Sequence, residues 1–355
     1  MSAVRGRRDD RPVTGRVLRT RSGAVSVRLH LRSLAVGTLL TLAICAVGLV
    51  SLTTGSYSAS LGDVFAALVG DGPPGVDFIV RELRLPRLLV AVMVGAALGI
   101  GGAMFQSVSR NPLGSPDVVG FTTGSATGAL VVILLLGGGL RATAFGAVVG
   151  GLLTAALVYV LAFRRRAQGF RLILTGIGIA AMLNAFNAYL LTRASLNDAQ
   201  TAQLWLTGSL NGRRWDHVVP LALALLLLVP VASALGRRMT LLEMGDDTAR
   251  ARGVPVEPTR LALLVTSVAL TAVATAAAGP IPFVALAAPQ LARRLTGSPG
   301  SGLLPAALMG ALLLTAADLA TQRALAPTQL PVGIGTAALG GLYLAWLLGR
   351  QWRRR

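Results

Sequence analysis

The stretch RLPRLLVAVMVGAALGIGGAMFQSVSRNPLGSPDVVGFTTGSATGA, residues 84–129, places an apolar run at 88–108 shortly before a second one that begins at 116. A helix needs about 20 predominantly apolar residues to cross a bilayer, and the first run has this length. Of all 355 residues, 54% are hydrophobic and only 13% are charged, whereas soluble domains carry about a quarter charged residues. The sequence therefore predicts a protein that crosses a membrane several times and excludes an ordinary soluble domain.

Working outward from this stretch gives ten apolar segments that are candidate membrane spans. They lie at 34–54, 88–108, 116–137, 141–163, 171–192, 218–236, 259–278, 281–297, 303–320 and 332–350. The eighth is the weakest because it is short and contains Pro282, Pro289 and Gln290. A bilayer tolerates these only where protein or water satisfies the backbone. We expect an all-α fold: a polytopic membrane protein with about ten transmembrane helices.

All 33 basic residues are arginine, and their distribution predicts which side of the membrane each loop faces. With a cytoplasmic N-terminus and ten alternating spans, 25 of them fall on the cytoplasmic side, as the positive-inside rule requires. Nine lie in residues 1–33, a composition that predicts a disordered basic tail touching anionic lipid rather than nucleic acid. We expect a protein of the cytoplasmic membrane with both termini in the cytoplasm. Its membrane domain is expected over 34–351 and a basic tail over 352–355.

The longest internal cytoplasmic connection, about 239–256, is patterned like a docking element. Residues 241–244 lead into Gly245, and a helix signal over 246–251 is stopped by Gly253. This pattern predicts two short helices joined at a glycine. Because half of the segment is apolar, a docking surface for a cytoplasmic protein is favoured over a solvated charged loop.

Polar side chains inside the spans are candidates for a translocation pathway, because they need partners or water there. They are Gln106 in the second span, Asn184 and Asn187 in the fifth, and Asp318 in the ninth. An interhelical hydrogen bond is the competing explanation for the amides. We expect Asp318 to serve structure near the outer end of its span.

The residue types that catalysis or metal binding would need are scarce. Cys45 is the single cysteine, and no acidic or cysteine cluster joins His30 or His217 at ligand spacing, so we expect no metal and no cofactor. Without lysine the chain cannot form a P-loop, so any ATP hydrolysis must take place on another subunit. A proton-coupled secondary transporter and an intramembrane enzyme remain alternatives, although Asp318 alone supports the first and no nucleophile and base support the second.

Five blocks of the sequence resemble ABC importer permeases for iron–siderophore complexes and cobalamin, the FecCD family. They are the stretch 84–129, LWLTGSLNGRRW at 204–215, MGDDTARARGV at 244–254, AGPIPFVALAAPQLARRLTG at 278–297, and LPAALMGALLLTAADLATQ with QLPVGIGTAALGG between 304 and 341. The blocks occur in the family's order, and the resemblance covers nearly everything after residue 34.

The resemblance implies a type II ABC importer permease with ten spans, paired as a dimer around a central pathway. Two copies of a cytoplasmic ATPase and an external solute-binding protein are the implied partners. The positions that match the family's ATPase-coupling element are Leu242, Gly245, Asp246, Asp247, Ala249, Arg250 and Gly253. Arg84 and Arg87 match the family's outside arginines, which dock the binding protein, and Arg323 is the third candidate. The family's fifth span lines the pathway, which ranks Asn184 and Asn187 above Gln106.

This chain also departs from the family pattern. Pro289-Gln290 stands where the family usually has a Pro-His pair, and Gln329 replaces the glutamate of the family's usual Glu-Leu-Pro. The position of the family's third outside arginine is Gln322, next to Arg323. The LTGSLNGRRW block resembles ferric-siderophore members, particularly catecholate types such as enterobactin, more than cobalamin members. A ferric siderophore is therefore the expected substrate, with cobalamin or haem as the alternative, and the dimer partner is either an identical chain or a related one.

Overall fold

The structure, a computed structural model, describes residues 16–19, 26–29, 31–55, 57–163, 169–297, 302–324 and 328–352. This part of the chain is almost entirely helical, which confirms the all-α prediction. Its α-helices are α1 Leu31–Thr53, α2 Leu61–Val69, α3 Pro74–Phe78, α4 Leu85–Ser109, α5 Phe121–Leu135, α6 Leu140–Phe163, α7 Gly169–Arg193, α8 Leu196–Leu206, α9 Trp215–Glu243, α10 Asp246–Ala251, α11 Val256–Ala278, α12 Val284–Thr296, α13 Leu303–Ala324 and α14 Val332–Trp352. A π-helical segment, Ile79–Arg84, joins α3 to α4.

Seven helices of the described chain are long and apolar enough to cross a membrane. They are α1, α4 together with the turns before it from Pro74, α6, α7, α9, α11 and α13. The predicted spans at 116–137, 281–297 and 332–350 are helical too: α5 and α12 have 15 and 13 residues, and α14 has 21, of which Val332–Tyr343 is the apolar part within the fully described residues. The structure thus supports seven spans, and the count of ten stays a prediction.

Eight residues of the basic tail form a hairpin. Strand β1, Arg16–Arg19, pairs antiparallel with β2, Ser26–Leu29, with Arg16 opposite Leu29. Valine and leucine between the arginines favour this extended pairing. For these eight residues the prediction of disorder is wrong, and α1 already begins at residue 31. The other residues before α1, and 353–355 of the C-terminal tail, lie outside the described residues.

Helix α4 is the centre of the bundle, because small residues let its neighbours approach closely. It packs against α13, α11, α12 and α9. A Cβ atom added at Gly95 or Gly99 would overlap the carbonyl oxygen atoms of Gly310 or Ala306 on α13, and one added at Gly128 on α5 would overlap α6 in the same way. Glycines four apart on one helix face thus allow the close approach of neighbouring backbones.

Helix α12 begins inside the bundle rather than at its surface. A Cβ atom at Gly102, about two thirds of the way along α4, would overlap the carbonyl oxygen of Ala285 in the first turn of α12. Residues 279–283 connect the end of α11 to this point without helical structure. Pro280 and Pro282 favour this break, because neither has a backbone N–H to donate. The eighth predicted span, 281–297, is therefore helical from Val284 to Thr296, after a short irregular segment.

Asp117 supports the backbone where the two short apolar helices α5 and α12 begin. Its Oδ1 atom accepts a hydrogen bond of 2.7 Å from Thr122 in the first turn of α5. Its carboxyl group also lies near the backbone of Phe283, directly before α12, while its Oδ2 atom has no hydrogen-bond partner among the described residues. These contacts match the expectation that protein groups satisfy the interrupted span. Sequence reasoning did not single out Asp117, although it is the one acidic residue of the segment 116–137.

Candidate coupling and translocation sites

The charged contacts of the bundle lie at its two ends. At one end, Arg110 after α4 pairs with Asp246 of α10, and the Arg32 Nε atom at the start of α1 donates a hydrogen bond of 2.8 Å to the Leu295 carbonyl of α12. We call this the knob end, and the opposite end, with the start of α4 and the end of α13, the rim end. The start of α1 and α10 therefore lie at the same end of the molecule.

The knob comprises α10 and its flanking turns, residues 244–255. The first of the two predicted short helices is not separate, because α9 continues without a break to Glu243 and its last residues, 237–243, include neither glycine nor proline. Gly245, with a φ of +112°, then turns the chain into α10, which confirms the predicted second helix. The knob is thus one short helix attached to the end of a long one.

The two adjacent acidic residues of α10 have different surroundings. Asp246 faces the bundle: its carboxylate accepts hydrogen bonds of 3.0 and 3.1 Å from Arg260 of α11 and pairs with Arg110. Asp247 is fully exposed and contacts Arg250 on the same helix at 3.0 Å. Asp246 therefore joins the knob to both α4 and α11, while Asp247 faces away from the bundle. Sequence reasoning treated the two as equivalent and did not identify Arg110 and Arg260 as their partners.

The electrostatics of Asp246 follow from these contacts. Partial burial alone would raise its pKa, but the hydrogen bond and charge of Arg260, with the charge of Arg110, lower the pKa below the usual aspartate value. The carboxylate therefore stays ionised at neutral pH, and its contribution to stability would be lost only as the pH falls through the lowered pKa.

The other predicted coupling residues also divide into side chains buried against the bundle and side chains exposed on the knob. Leu242 and Ala249 are 5% and 0% exposed and anchor the knob in the main hydrophobic core. Met244 is 62% exposed, and Arg250 lies on the same open surface as Asp247. The knob thus presents an exposed surface of mixed apolar and charged character on a base fixed to three helices.

Gly253 ends the knob in a backbone conformation that disfavours other residues. Its φ is +75°, and a Cβ atom there would meet no neighbour within 4 Å. We expect Gly253→Val to strain the turn by about 1–2 kcal/mol and to lower substrate uptake, while Gly253→Asn keeps it, because asparagine tolerates positive φ. Uptake per amount of protein in the membrane measures this. Ala251→Val is the matched control, and an equal loss for the asparagine and valine variants would contradict the backbone explanation.

At the rim end, the arginines predicted to dock an external protein are bonded within the chain. Arg84 donates a hydrogen bond of 2.6 Å to the Leu52 carbonyl at the end of α1 and a second one to the Tyr57 carbonyl. Arg87 forms two hydrogen bonds with Asp318 of α13, at 2.9 and 2.8 Å. Both guanidinium groups therefore stabilise the rim, and an external carboxylate would have to compete with these acceptors.

Two of the three glutamines that depart from the family pattern contact the Arg87–Asp318 pair. Gln322 Nε2 donates a hydrogen bond of 2.7 Å to Asp318, and Gln329 Oε1 accepts one of 2.9 Å from Arg87. The four side chains connect α4, α13 and the segment before α14. This confirms the structural role predicted for Asp318. Arg323, next to Gln322, is exposed on the last turn of α13.

A cavity of about 360 Å³ lies between α5, α7, α8 and the irregular segment after α11. The structure brings together Asn184 and Asn187 of α7 with Thr122 and Thr123 of α5 in its lining. Asn187 is 7% exposed, and its Oδ1 atom has no hydrogen-bond partner among the described residues. The lining thus offers neutral hydrogen-bonding groups, and one of its residues, Asn187, has a buried acceptor without a partner among the described residues.

Gln106 lies elsewhere. It is 2% exposed between α4 and α12, where its Nε2 atom donates a hydrogen bond of 3.0 Å to the Leu286 carbonyl. The interhelical bond weighed as the alternative is therefore what the structure contains. Gln290 likewise donates a hydrogen bond of 2.6 Å to the Pro112 carbonyl, joining α12 to the segment after α4. Within the described residues, no cluster of three or more metal-ligating side chains is present.

The profile of the FecCD transport family matches residues 41–350. The chain belongs to the FecCD transport family. The ferric enterobactin transport system permease of Escherichia coli K12 is 52% identical over 91% of this chain and 98% of its own length. The achromobactin transport system permease of Dickeya dadantii 3937 is 36% identical over 97% and 99%, and the hemin transport system permease of Yersinia pestis is 34% identical over 94% and 99%.

A solved structure of a metal-chelate type ABC transporter in an inward-facing conformation is similar over 89% of this chain and 99% of its own, with a TM-score of 0.79 and 29% identity. This FecCD protein is therefore a multi-pass protein of the inner membrane, and its relatives are transport permease subunits.

Proposed function

We propose that the chain is the permease subunit of an ABC importer that carries a ferric siderophore of the catecholate type across the cytoplasmic membrane. The observation that carries this proposal is the 52% identity to the ferric enterobactin permease over 98% of that protein. We further propose ten spans with both termini in the cytoplasm, so that the knob end is cytoplasmic and the rim end is external. The alternation of helix ends between the knob and the rim supports this arrangement.

ATP hydrolysis is assigned to two copies of a cytoplasmic ATPase, because this lysine-free chain has no P-loop. The ATPase is proposed to bind the exposed surface formed by Met244, Asp247 and Arg250. Its movement would reach the bundle through the buried side of the knob, where Asp246 connects α10 to α4 and α11. A second permease chain, identical or related, would complete the pathway.

The external siderophore-binding protein is proposed to dock at the rim end through Arg84, Arg87 and Arg323. The internal bonds of Arg84 and Arg87 make Arg323 the most accessible of the three. The proposed pathway passes the cavity with Asn184 and Asn187, whose neutral amides would allow weak contacts with a large polar cargo. Gln106 supports this pathway only indirectly, by holding α12 to α4.

Uptake of radiolabelled iron, with radiolabelled cobalamin measured in parallel, in a strain without its own permeases for these compounds tests the substrate. With the cognate ATPase and binding protein present, expression of this chain is expected to restore uptake of ferric enterobactin above that of a hydroxamate siderophore, haem or cobalamin. Because one relative is named for hemin and shares 34% identity, haem is the alternative to include. Uptake of haem or cobalamin without siderophore uptake would overturn the substrate assignment.

A further inference from the structure

A second cavity of about 360 Å³ lies at the rim end, outside the proposed pathway. It is formed by the first turns of α6 and α9 and the last turns of α11. Phe145, Val148, Pro220, Leu221 and Val273 give it an apolar interior. Arg141, Asp216 and His217 lie at the end of this lining where the helices reach the rim. From Arg141 to Val148 the lining follows α6 for about 10 Å, at 1.5 Å per residue.

The mouth of this cavity, which we call the groove, lies at the level of the lipid headgroups. Trp215 is 36% exposed directly beside Asp216, and its indole N–H donates a hydrogen bond of 3.1 Å to the Arg81 carbonyl. Tryptophan is enriched at membrane–water interfaces, where its N–H meets polar groups and its ring meets acyl chains. Phe145 is 71% exposed on the α6 side of the groove, as expected for a side chain that contacts lipid.

The mouth contains two charged side chains, Arg141 and Asp216. Among the ion pairs of the described residues, none involves Arg141, Asp216 or Arg213. Arg213 is partly buried behind His217 and donates to its Nε2 atom at 2.8 Å, and since a guanidinium only donates, the imidazole nitrogen must be the acceptor. Burial lowers the pKa of Arg213 to about 10, which leaves it a cation at neutral pH. The mouth therefore carries the Arg141 cation on α6 and the Asp216 carboxylate on α9, with Arg213 buried on the α9 side.

We propose that this groove binds a phospholipid whose headgroup carries both a phosphate and a primary ammonium, with one acyl chain between α6, α9 and α11. The phosphate lies against Arg141, because guanidinium groups match phosphate oxygens in geometry and charge. The ammonium group lies against Asp216, which would otherwise face the headgroups without a counter-charge. The site serves the attachment of this end of the bundle to its bilayer and is independent of the transported substrate.

Native mass spectrometry of the purified full chain tests this proposal. The protein is offered equal amounts of phosphatidylethanolamine, phosphatidylglycerol and phosphatidylcholine with identical acyl chains. Wild type is expected to retain phosphatidylethanolamine preferentially. Arg141→Gln should reduce retention of all three roughly tenfold, the effect of one lost hydrogen bond to a charged group. Asp216→Asn should abolish the preference for phosphatidylethanolamine alone.

Arg193→Gln is the matched control, because Arg193 is exposed at the same end of the bundle, on the last turn of α7, and does not line the groove. Equal lipid retention by wild type and Arg141→Gln would overturn the site. Preferential retention of phosphatidylglycerol by the wild type would overturn the assignment of Asp216, and this measurement does not depend on any variant folding correctly.

Discussion

Replacing Asp318 with asparagine is expected to give the largest loss of stability of any single substitution at the rim. The Arg87 and Asp318 side chains are 13% and 5% exposed, and two hydrogen bonds join them. Asparagine removes the negative charge and leaves the Arg87 guanidinium buried without a counter-charge. Breaking a buried ion pair in this way costs about 3–5 kcal/mol. Thermal unfolding of the purified protein in detergent measures the effect.

The exposed pair at the same end provides the control for Asp318→Asn. Arg81 and Asp77 lie 3.6 Å apart with side chains 48% and 32% exposed, so Asp77→Asn should cost less than about 1 kcal/mol. The double variant Arg87→Met/Asp318→Leu should recover most of the lost stability, because it removes both charges. Similar losses for Asp318→Asn and Asp77→Asn would show that the buried pair does not hold α4 to α13.

Replacing Asp246 with asparagine is expected to uncouple the knob from the bundle. The variant loses the charge that two arginines share, so the hydrogen bonds of α10 and its final turn should open more often. The Ala249 N–H, bonded to the Gly245 carbonyl at 3.0 Å, and the Val254 N–H, bonded to the Ala249 carbonyl at 3.0 Å, report this opening. We expect faster hydrogen exchange at both amides together with loss of most substrate uptake.

Asp247→Asn is the matched control for Asp246→Asn, since it makes the same chemical change one residue away on the exposed side of α10. Hydrogen exchange at the two amides should stay at the wild-type rate. Because the pKa of Asp246 is lowered, wild type should hold the knob at neutral pH and release it only on acidification below the usual aspartate range. Unchanged exchange in Asp246→Asn, or equal changes in both variants, would contradict the assignment.

The seven long helices could be predicted from the sequence because a bilayer demands a minimum apolar length, and such lengths are visible in composition alone. Hydropathy does not indicate the features that depend on hydrogen bonds and close packing. The irregular segment before α12 depends on Asp117 and on close packing against Gly102, which no apolar count detects. The surface helix α8 was not predicted because it is too polar to resemble a membrane span. Its N-terminus is instead capped by Ser195, whose Oγ atom accepts a hydrogen bond of 3.2 Å from the Asp198 N–H.

The sequence located the candidate coupling segment but did not indicate which of its side chains face the bundle. Motif resemblance identified the segment around Asp246 and Asp247, yet neighbours on a helix point about 100° apart. Which of them faces the bundle depends on Arg110, 136 residues away in sequence. The same applies to Arg87, whose partner Asp318 is separated from it by 231 residues. The predicted docking role considered Arg87 alone, without the carboxylate that occupies it.

Transport by the reconstituted complex tests whether this chain imports its substrate with energy from ATP hydrolysis on a partner subunit. Proteoliposomes that contain this chain, its partner permease where one is required and the cognate ATPase are supplied with ATP at the knob end and with ferric enterobactin and its binding protein at the rim end. We expect uptake that requires ATP and the ATPase and that persists when a protonophore removes the proton gradient. Uptake that proceeds without ATP and stops with the protonophore would contradict it and favour a proton-coupled secondary transporter.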